Sequence, residues 1–291
     1  VAHEGLVHYY AVVPLVLVDV VKQAVAAAYP AARLEEVSER NIFNPAGRMS
    51  GTIGGEFTLK KEFAYPIATY QESKRDATRA LLNALSGATR EDGVGIQIMI
   101  RPAETGWSKV ATGLADTIRK DKGKKSGTKQ VMSGLMEALW KPPETQEVKT
   151  EDKQLSSVEQ ASVEAIEDKT RYPAYETLIR VVASSSTAGK SQALMNNVVS
   201  AFALFDSAQN NGFKFTVSKN IEEFVTAYIF RFFPQEVRQN VLNTVELATI
   251  FHLPNQGSIP TSQVQRQAAK QVDGPTQIVE DGFLLGYNEF R

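Results

Sequence analysis

Apolar positions along the chain change their period several times, and each change marks an element. Residues 8–13 read as a strand, after which Leu15, Val18, Val21, Val25 and Ala28 recur at helical spacing until Pro30 stops them. Residues 33–43 are extended, with Leu34 and Val37 among charges, and Asn44-Pro45-Ala46-Gly47 is a turn. Residues 51–66 alternate Ile53, Phe57, Leu59, Phe63 and Tyr65 with polar positions, the period of a second long strand. Asp76 is placed to cap a helix carrying Ala80, Leu81, Leu82 and Leu85, which Gly87 ends. Residues 94–100 form a short apolar strand closed by Arg101-Pro102. The order β-α-β-β-α-β predicts an α+β fold with a ferredoxin-like first domain over residues 1–121.

Residues 107–120 continue as an amphipathic helix. Residues 121–130 and 141–154 are polar, charged and poor in aromatics, a composition that buries too little to order itself. Between them a short helix within 131–140 is placed to dock through Leu135, Leu139 and Trp140. Residues 122–155 are therefore expected to be a charged linker. Beyond it, Ser156 or Ser157 caps a helix running to about Lys169, with Glu159 or Gln160 three residues on for a capping box. Residues 174–184 are strand-like, and 188–209 carry Leu194, Val198, Ala201, Phe202 and Phe205 at helical period. Asn211-Gly212 leads into a strand over 213–217, and helices are expected over 221–233 and 244–251. This predicts a second, smaller α+β unit over 156–254, then an extended tail over 255–291 with one more short strand at 281–287. The order α-β-α-β resembles part of the first unit, but no sequence repeat establishes duplication.

Composition narrows the function classes. The 32 Lys and Arg balance 33 Asp and Glu to a net charge of −1, so no global basic field draws in nucleic acid or an anionic membrane. There is no cysteine, which removes disulfides, thiolate metal sites and thiol nucleophiles. His3, His8 and His252 are too scattered to predict a metal cluster. The longest apolar stretch, residues 12–28, is interrupted by Pro14, Asp19 and Lys22 and falls short of the ~20 apolar residues a spanning helix needs. The chain starts on Val rather than Met, as a fragment of something longer would.

One segment invites a nucleotide-binding reading. Thr187-Ala188-Gly189-Lys190-Ser191 falls after a strand and before a helix, as the end of a phosphate-binding loop does. That loop also needs a glycine five positions before Gly189 so that backbone amides can wrap phosphate, and Ser184 stands there. No Mg-binding carboxylate at the end of a buried strand accompanies it, so Gly189, Lys190 and Ser191 are weak cofactor-binding candidates and an ordinary helix start accounts for them. Gly51, Gly54 and Gly55 precede a strand rather than a helix, which reads as a bulge or hairpin cluster and not a dinucleotide fingerprint. His252 reads as a packing or capping histidine. No catalytic residue, metal site or cofactor is expected. The remaining candidates are basic clusters for phosphate or lipid headgroups: Lys120, Lys122, Lys124, Lys125 and Lys129 in one, and Lys60 and Lys61 with Lys74 and Arg75 in another. A solubilising linker explains the first cluster as well.

Leu155-Ser-Ser with Val163-Glu-Ala-Ile-Glu-Asp-Lys169, Tyr175-Glu-Thr-Leu-Ile-Arg-Val-Val-Ala-Ser184, Val199-Ser-Ala-Phe202, Asn211-Gly-Phe213 and 242–254 carry a resemblance. Together with residues 94–102, Trp107 and the tail 280–291, they resemble the region preceding the motor in bacterial type IV secretion coupling proteins, the conjugative DNA-transfer ATPase family. The lysine-rich segment 121–155 departs from that pattern. The resemblance implies an ATPase core beyond Arg291, a membrane anchor outside this chain and a place on the cytoplasmic side of the bacterial inner membrane. It also implies self-association or other secretion-system subunits as partners, with at most weak, non-specific DNA contact. It carries over no catalytic residue. A non-catalytic assembly domain is the first expectation, and a freestanding nucleotide-binding enzyme using Gly189, Lys190 and Ser191 the alternative.

Overall fold

The computed structural model describes residues 1–30, 32–37, 42–43, 51–73, 77–120, 155–235 and 240–253. Its centre is strand β5 (Ala174–Ser184), which is buried along almost its whole length. A strand apolar on both faces needs a neighbour at each edge and cover above and below. β4 (Gly93–Pro102) runs antiparallel along one edge, from Gly93 opposite Ser184 to Pro102 opposite Tyr175. β3 (Thr52–Leu59) lies antiparallel along the other, where β7 (Val241–Asn243) continues past the end of β3 opposite residues 174–176. β6 (Phe213–Val217) pairs with the outer side of β3. A small hairpin of β1 (Ala2–His3) and β2 (Leu6–Val7), turned through Glu4 and Gly5 at positive φ, pairs with the start of β4. The order is β2-β1-β4-β5-β3-β6, and β7 beside β5 makes it a seven-stranded antiparallel sheet.

The α+β class therefore stands, but the expected partition does not. Strands from residues 1–121 and from 156–254 share one sheet, with β5 of the second segment inserted between β3 and β4 of the first. Burial is the physical reason. Val181, Val182 and Ala183 are fully enclosed, and both of their hydrogen-bonding edges are taken by strands of the first segment. Residues 8–13 and the described part of 33–43, expected to be strands of a ferredoxin-like 1–121 unit, form no strand. The outer side of β4 is taken at Val94 by Ala2 instead.

One sheet face packs on α3 (Ala77–Leu85) and α6 (Ala188–Phe202). Phe57, Ile179, Val181 and Ala183 meet Leu81, Leu82 and Leu85 of α3 and Leu194, Met195, Val198 and Phe202 of α6. Phe57 and Phe202 stack with ring centroids 4.0 Å apart. A satellite core joins α4 (Trp107–Lys120) to α5 (Ser157–Thr170), where Ala111 and Ala115 let Val163 and Ile166 approach closely. α5 begins at the predicted capping box: Ser156 accepts the Glu159 N–H and Glu159 accepts the Ser156 N–H. α7 (Ile221–Ile229) and α8 (Thr244–Ile250) are shorter than their periodicity predicts, as is α6, which gives way to a 3-10 turn over Ala203–Phe205. α1 (Val18–Ala28) follows a 3-10 turn at Leu15–Leu17 and buries none of its residues. A single turn, α2 (Tyr70–Ser73), precedes α3. The linker 122–154 and the tail 254–291 lie outside the described residues.

Candidate interaction surface

The loop-like triad sits where α6 starts, and its groups are already engaged. Thr187 caps the helix by accepting the Lys190 N–H. The Lys190 ammonium reaches Asp92 at 2.8 Å and Thr89 at 3.1 Å. The Ser191 hydroxyl is buried and donates to the Gly51 carbonyl. Gly189 meets nothing that a Cβ would strike, so no close backbone approach explains it. Lys190 and Ser191 thus serve the join between α6, β3 and β4. Asp92 is the residue that sequence reasoning missed. It also accepts from Ser185 at 2.6 Å and from the Thr89 hydroxyl and N–H. Burial alone would push its carboxyl up, but these hydrogen bonds outweigh burial and hold it down at about 2.

Gly51, Gly54 and Gly55 are not a hairpin cluster. Gly54 and Gly55 lie within β3, and Gly51 stands directly before it. A Cβ on Gly54 would fall 2.2 Å from the Phe224 ring, and one on Gly51 2.0 Å from the Ser185 carbonyl oxygen. These positions are glycine because an aromatic ring and a neighbouring chain pass directly over the strand.

Of the basic candidates, Lys60 pairs with Asp206 at 2.5 Å and Lys61 donates to the Gln209 carbonyl while lying 5.5 Å from the Tyr65 ring centroid. Lys120 is exposed at the end of α4. Lys122, Lys124, Lys125 and Lys129, with Lys74 and Arg75, lie outside the described residues. His252 rests against Thr78 at 3.0 Å, a packing position. Among the described residues no group of His, Asp and Glu is placed to hold a metal ion.

The second sheet face carries the most constructed arrangement. Alternation along β5 puts Glu176 and Arg180 on this face, opposite Arg101 and Gln97 of β4 and beside Glu56 of β3. Arg180 is buried; its Nε donates to Glu56 at 2.8 Å, and its Nη1 donates to the carbonyls of Ala227 and Phe232. Arg101 pairs with Glu176, donates to the Gln235 carbonyl at 2.9 Å and lies 4.4 Å from the Phe233 ring centroid. Gln97 donates to the Tyr228 carbonyl. The C-terminal end of α7 and the residues after it are thereby fastened to the sheet through their backbone. The chain turns there with Arg231 at φ 52°, a left-handed conformation that the Arg180 bonds on either side hold in place. The side chains of this fastened turn face outward: Phe230 is 77% and Phe232 60% exposed. A charged residue inside an apolar strand was the one sequence signal for this clamp. Burial also pushes the Tyr228 hydroxyl beneath it up to about 12.

A second apolar surface lies on the segment leading into α1, where Leu15 is 91% and Val16 86% exposed. Among the described residues no helix is long and apolar enough to cross a membrane. An antiparallel sheet with α3 and α6 on one face, and α7 with its clamped aromatic turn on the other, defines a mixed α+β domain whose most built feature presents side chains. The chain belongs to the family described as Domain of unknown function (DUF8128), whose model matches residues 2–272. Neither the curated proteins nor the solved structures compared with it match the chain.

Proposed function

We infer that this chain is a non-catalytic assembly and partner-docking domain of a membrane-associated, DNA-translocating ATPase of the type IV secretion type. The observation that carries the docking role is the aromatic turn. Phe230 and Phe232 stand in water on a backbone that Arg180 holds in place, and rigid exposed aromatics are the residues that dominate binding energy at interfaces. The secretion assignment rests on the sequence resemblance. In that reading the motor follows Arg291, the anchor lies outside this chain, and the domain works at the cytoplasmic side of the inner membrane against copies of itself or other secretion subunits. Any DNA contact is weak and salt-sensitive, as expected for a chain of net charge −1.

The fold belongs to the same reading. β3-α3-β4 and β5-α6-β6 each return to the sheet with one strand left between their two strands, and the order β4-β5-β3-β6 supports reading them as a split βαβ, ferredoxin-like plan. On this view the plan spans residues 52–217 instead of 1–121.

Two measurements test the function. Translation of the coding sequence beyond Arg291 should give a Gly-x-x-x-x-Gly-Lys-Ser/Thr motif, and a locus with no such motor would overturn the assignment. In the full-length protein, Phe230→Asp with Phe232→Asp should weaken subunit or partner association by about tenfold or more, the effect of losing one interface hot spot. Unchanged association would remove the docking role from this turn.

A further inference from the structure

β6 is the last strand on its side of the sheet, and among the described residues it pairs with β3 alone. The phase of that ladder is fixed at both ends, because Lys60 donates its N–H to the Gly212 carbonyl and Ser218 donates its N–H to the Gly54 carbonyl. Antiparallel bonds recur at every second residue. Lys214 and Thr216 therefore turn their backbone groups inward to β3, and Phe213, Phe215 and Val217 turn theirs outward. The Phe213 N–H is taken by Asp206 Oδ1 at 3.0 Å, which closes the edge at that end. What stays open among the described residues is a short row: the N–H and C=O groups of Phe215 and Val217. Proline and bulges blunt many sheet edges. Here the register with β3 runs unbroken from residue 213 to 217 with no proline.

We propose that this edge pairs with the same edge of a second copy of the chain, antiparallel about Thr216, so that one sheet runs through a two-fold dimer. The inference names the partner for the assembly role proposed above. Its argument is self-complementarity. The open row has two residues separated by one, so an antiparallel copy sets Phe215 opposite Val217 and Val217 opposite Phe215, and every open donor meets an open acceptor. Thr216 then faces Thr216 across the axis, a favourable cross-strand pair, and the strand's one charge, Lys214, faces Ser218 rather than another lysine. The exposed Lys219 of one copy is carried toward Asp206 of the other, the carboxylate that ends the open row. Val217, 47% exposed, would be covered by the Phe215 of the second copy. A contact of this kind uses the same patch on both subunits and closes on itself.

The absence of cysteine makes the register testable in the full chain. Opposed Thr216 residues would form a non-hydrogen-bonded pair with Cα atoms about 4.5 Å apart, within disulfide range. Thr216→Cys should therefore oxidise to a covalent dimer at least about tenfold faster than Lys214→Cys, whose counterpart across the axis lies several residues away. In sedimentation the unmodified chain should be a reversible dimer. Val217→Pro, which removes an outward N–H and no bond to β3, should be a monomer with an unchanged circular dichroism spectrum. Equal cross-linking rates at 214 and 216, a monomer at hundreds of micromolar, or a Val217→Pro dimer would each overturn the proposal. So would a monomer whose residue 216 thiol is shielded, because a segment of its own chain would then occupy the edge. Failure here leaves Phe230 and Phe232 as an assembly surface, whereas a locus without a motor would remove the secretion assignment and leave the dimer.

Discussion

Asp92 shows how a single side chain can set the meaning of a motif. Its carboxylate is buried and receives Lys190, Ser185 and Thr89, so the lysine that resembles a phosphate ligand in sequence is a structural cation in the fold. Because the folded carboxyl lies near 2 and its ordinary value is 3.8, the folded state binds the proton less readily than the unfolded chain. The stability this contributes is complete above about pH 4 and is lost as pH falls towards 2. Its size is about 1–2 kcal/mol, discounted because Lys190 is partly solvated. Asp92→Asn should remove that acid-sensitive component in urea titrations run from pH 5 to 2. Lys190→Ala should move the acid midpoint upward and destabilise at neutral pH by about 1–3 kcal/mol, since a buried carboxylate loses its cation. The same variant should leave calorimetric titration with ATP silent, as for the unaltered chain. ATP binding that disappears with Lys190 would instead restore the nucleotide reading. None of this was legible beforehand, because Asp92 and Lys190 are far apart in sequence and meet only once β4 and α6 are placed.

At the scale of elements, strong period and local capping chemistry carried the reading, and short or edge elements escaped it. The Ser156–Glu159 box, β5, β6 and α4 have their signals within a few neighbouring residues, and the structure agrees with them. β7 spans only Val241–Asn243 and exists because β5 outruns β3, a circumstance no local pattern records. α7 stops at Ile229 because Arg231 turns left-handed and the Phe232 N–H folds back to the Ala227 carbonyl, a carbonyl that Arg180 from another element also engages. Lys169 of α5 illustrates the same dependence. It is fully buried, donates to the Val241 carbonyl and pairs with Glu246 of α8, which also accepts the N–H groups of Ile67 and Asn243. Burial pushes the Lys169 ammonium down and Glu246 opposes that shift, so the ion pair holds only while its geometry is complete. Lys169→Met leaves Glu246 as a buried carboxylate without its cation. It should destabilise by about 3–5 kcal/mol in chemical denaturation, and a second change, Glu246→Gln, should recover part of that loss.

At the scale of the whole molecule, strand order decides what can fold alone. β4 and β3 are neighbours in sequence but not in the sheet, since β5 from beyond residue 155 separates them. A fragment ending near residue 120 would hold β3 and β4 with no strand between them, exposing the apolar side chains of Phe57 and Val94 that β5 and α6 help to cover. A fragment beginning near residue 155 would hold β5 with only β7 beside its first residues, leaving the edges along Ile179 to Ala183 unpaired. Unpaired apolar strand edges of that kind favour aggregation over folding. Fragments 1–120 and 155–291 are therefore expected to be largely unstructured or insoluble when made separately and to restore the sheet when co-expressed. The association should be visible as co-purification and as the reappearance of a dispersed amide spectrum. Cutting the intact chain between residues 121 and 154 should likewise leave two pieces that travel together through gel filtration and melt in one transition. Two pieces that separate and each melt cooperatively would mean that the two halves are independent domains after all, and the shared sheet would have to be abandoned.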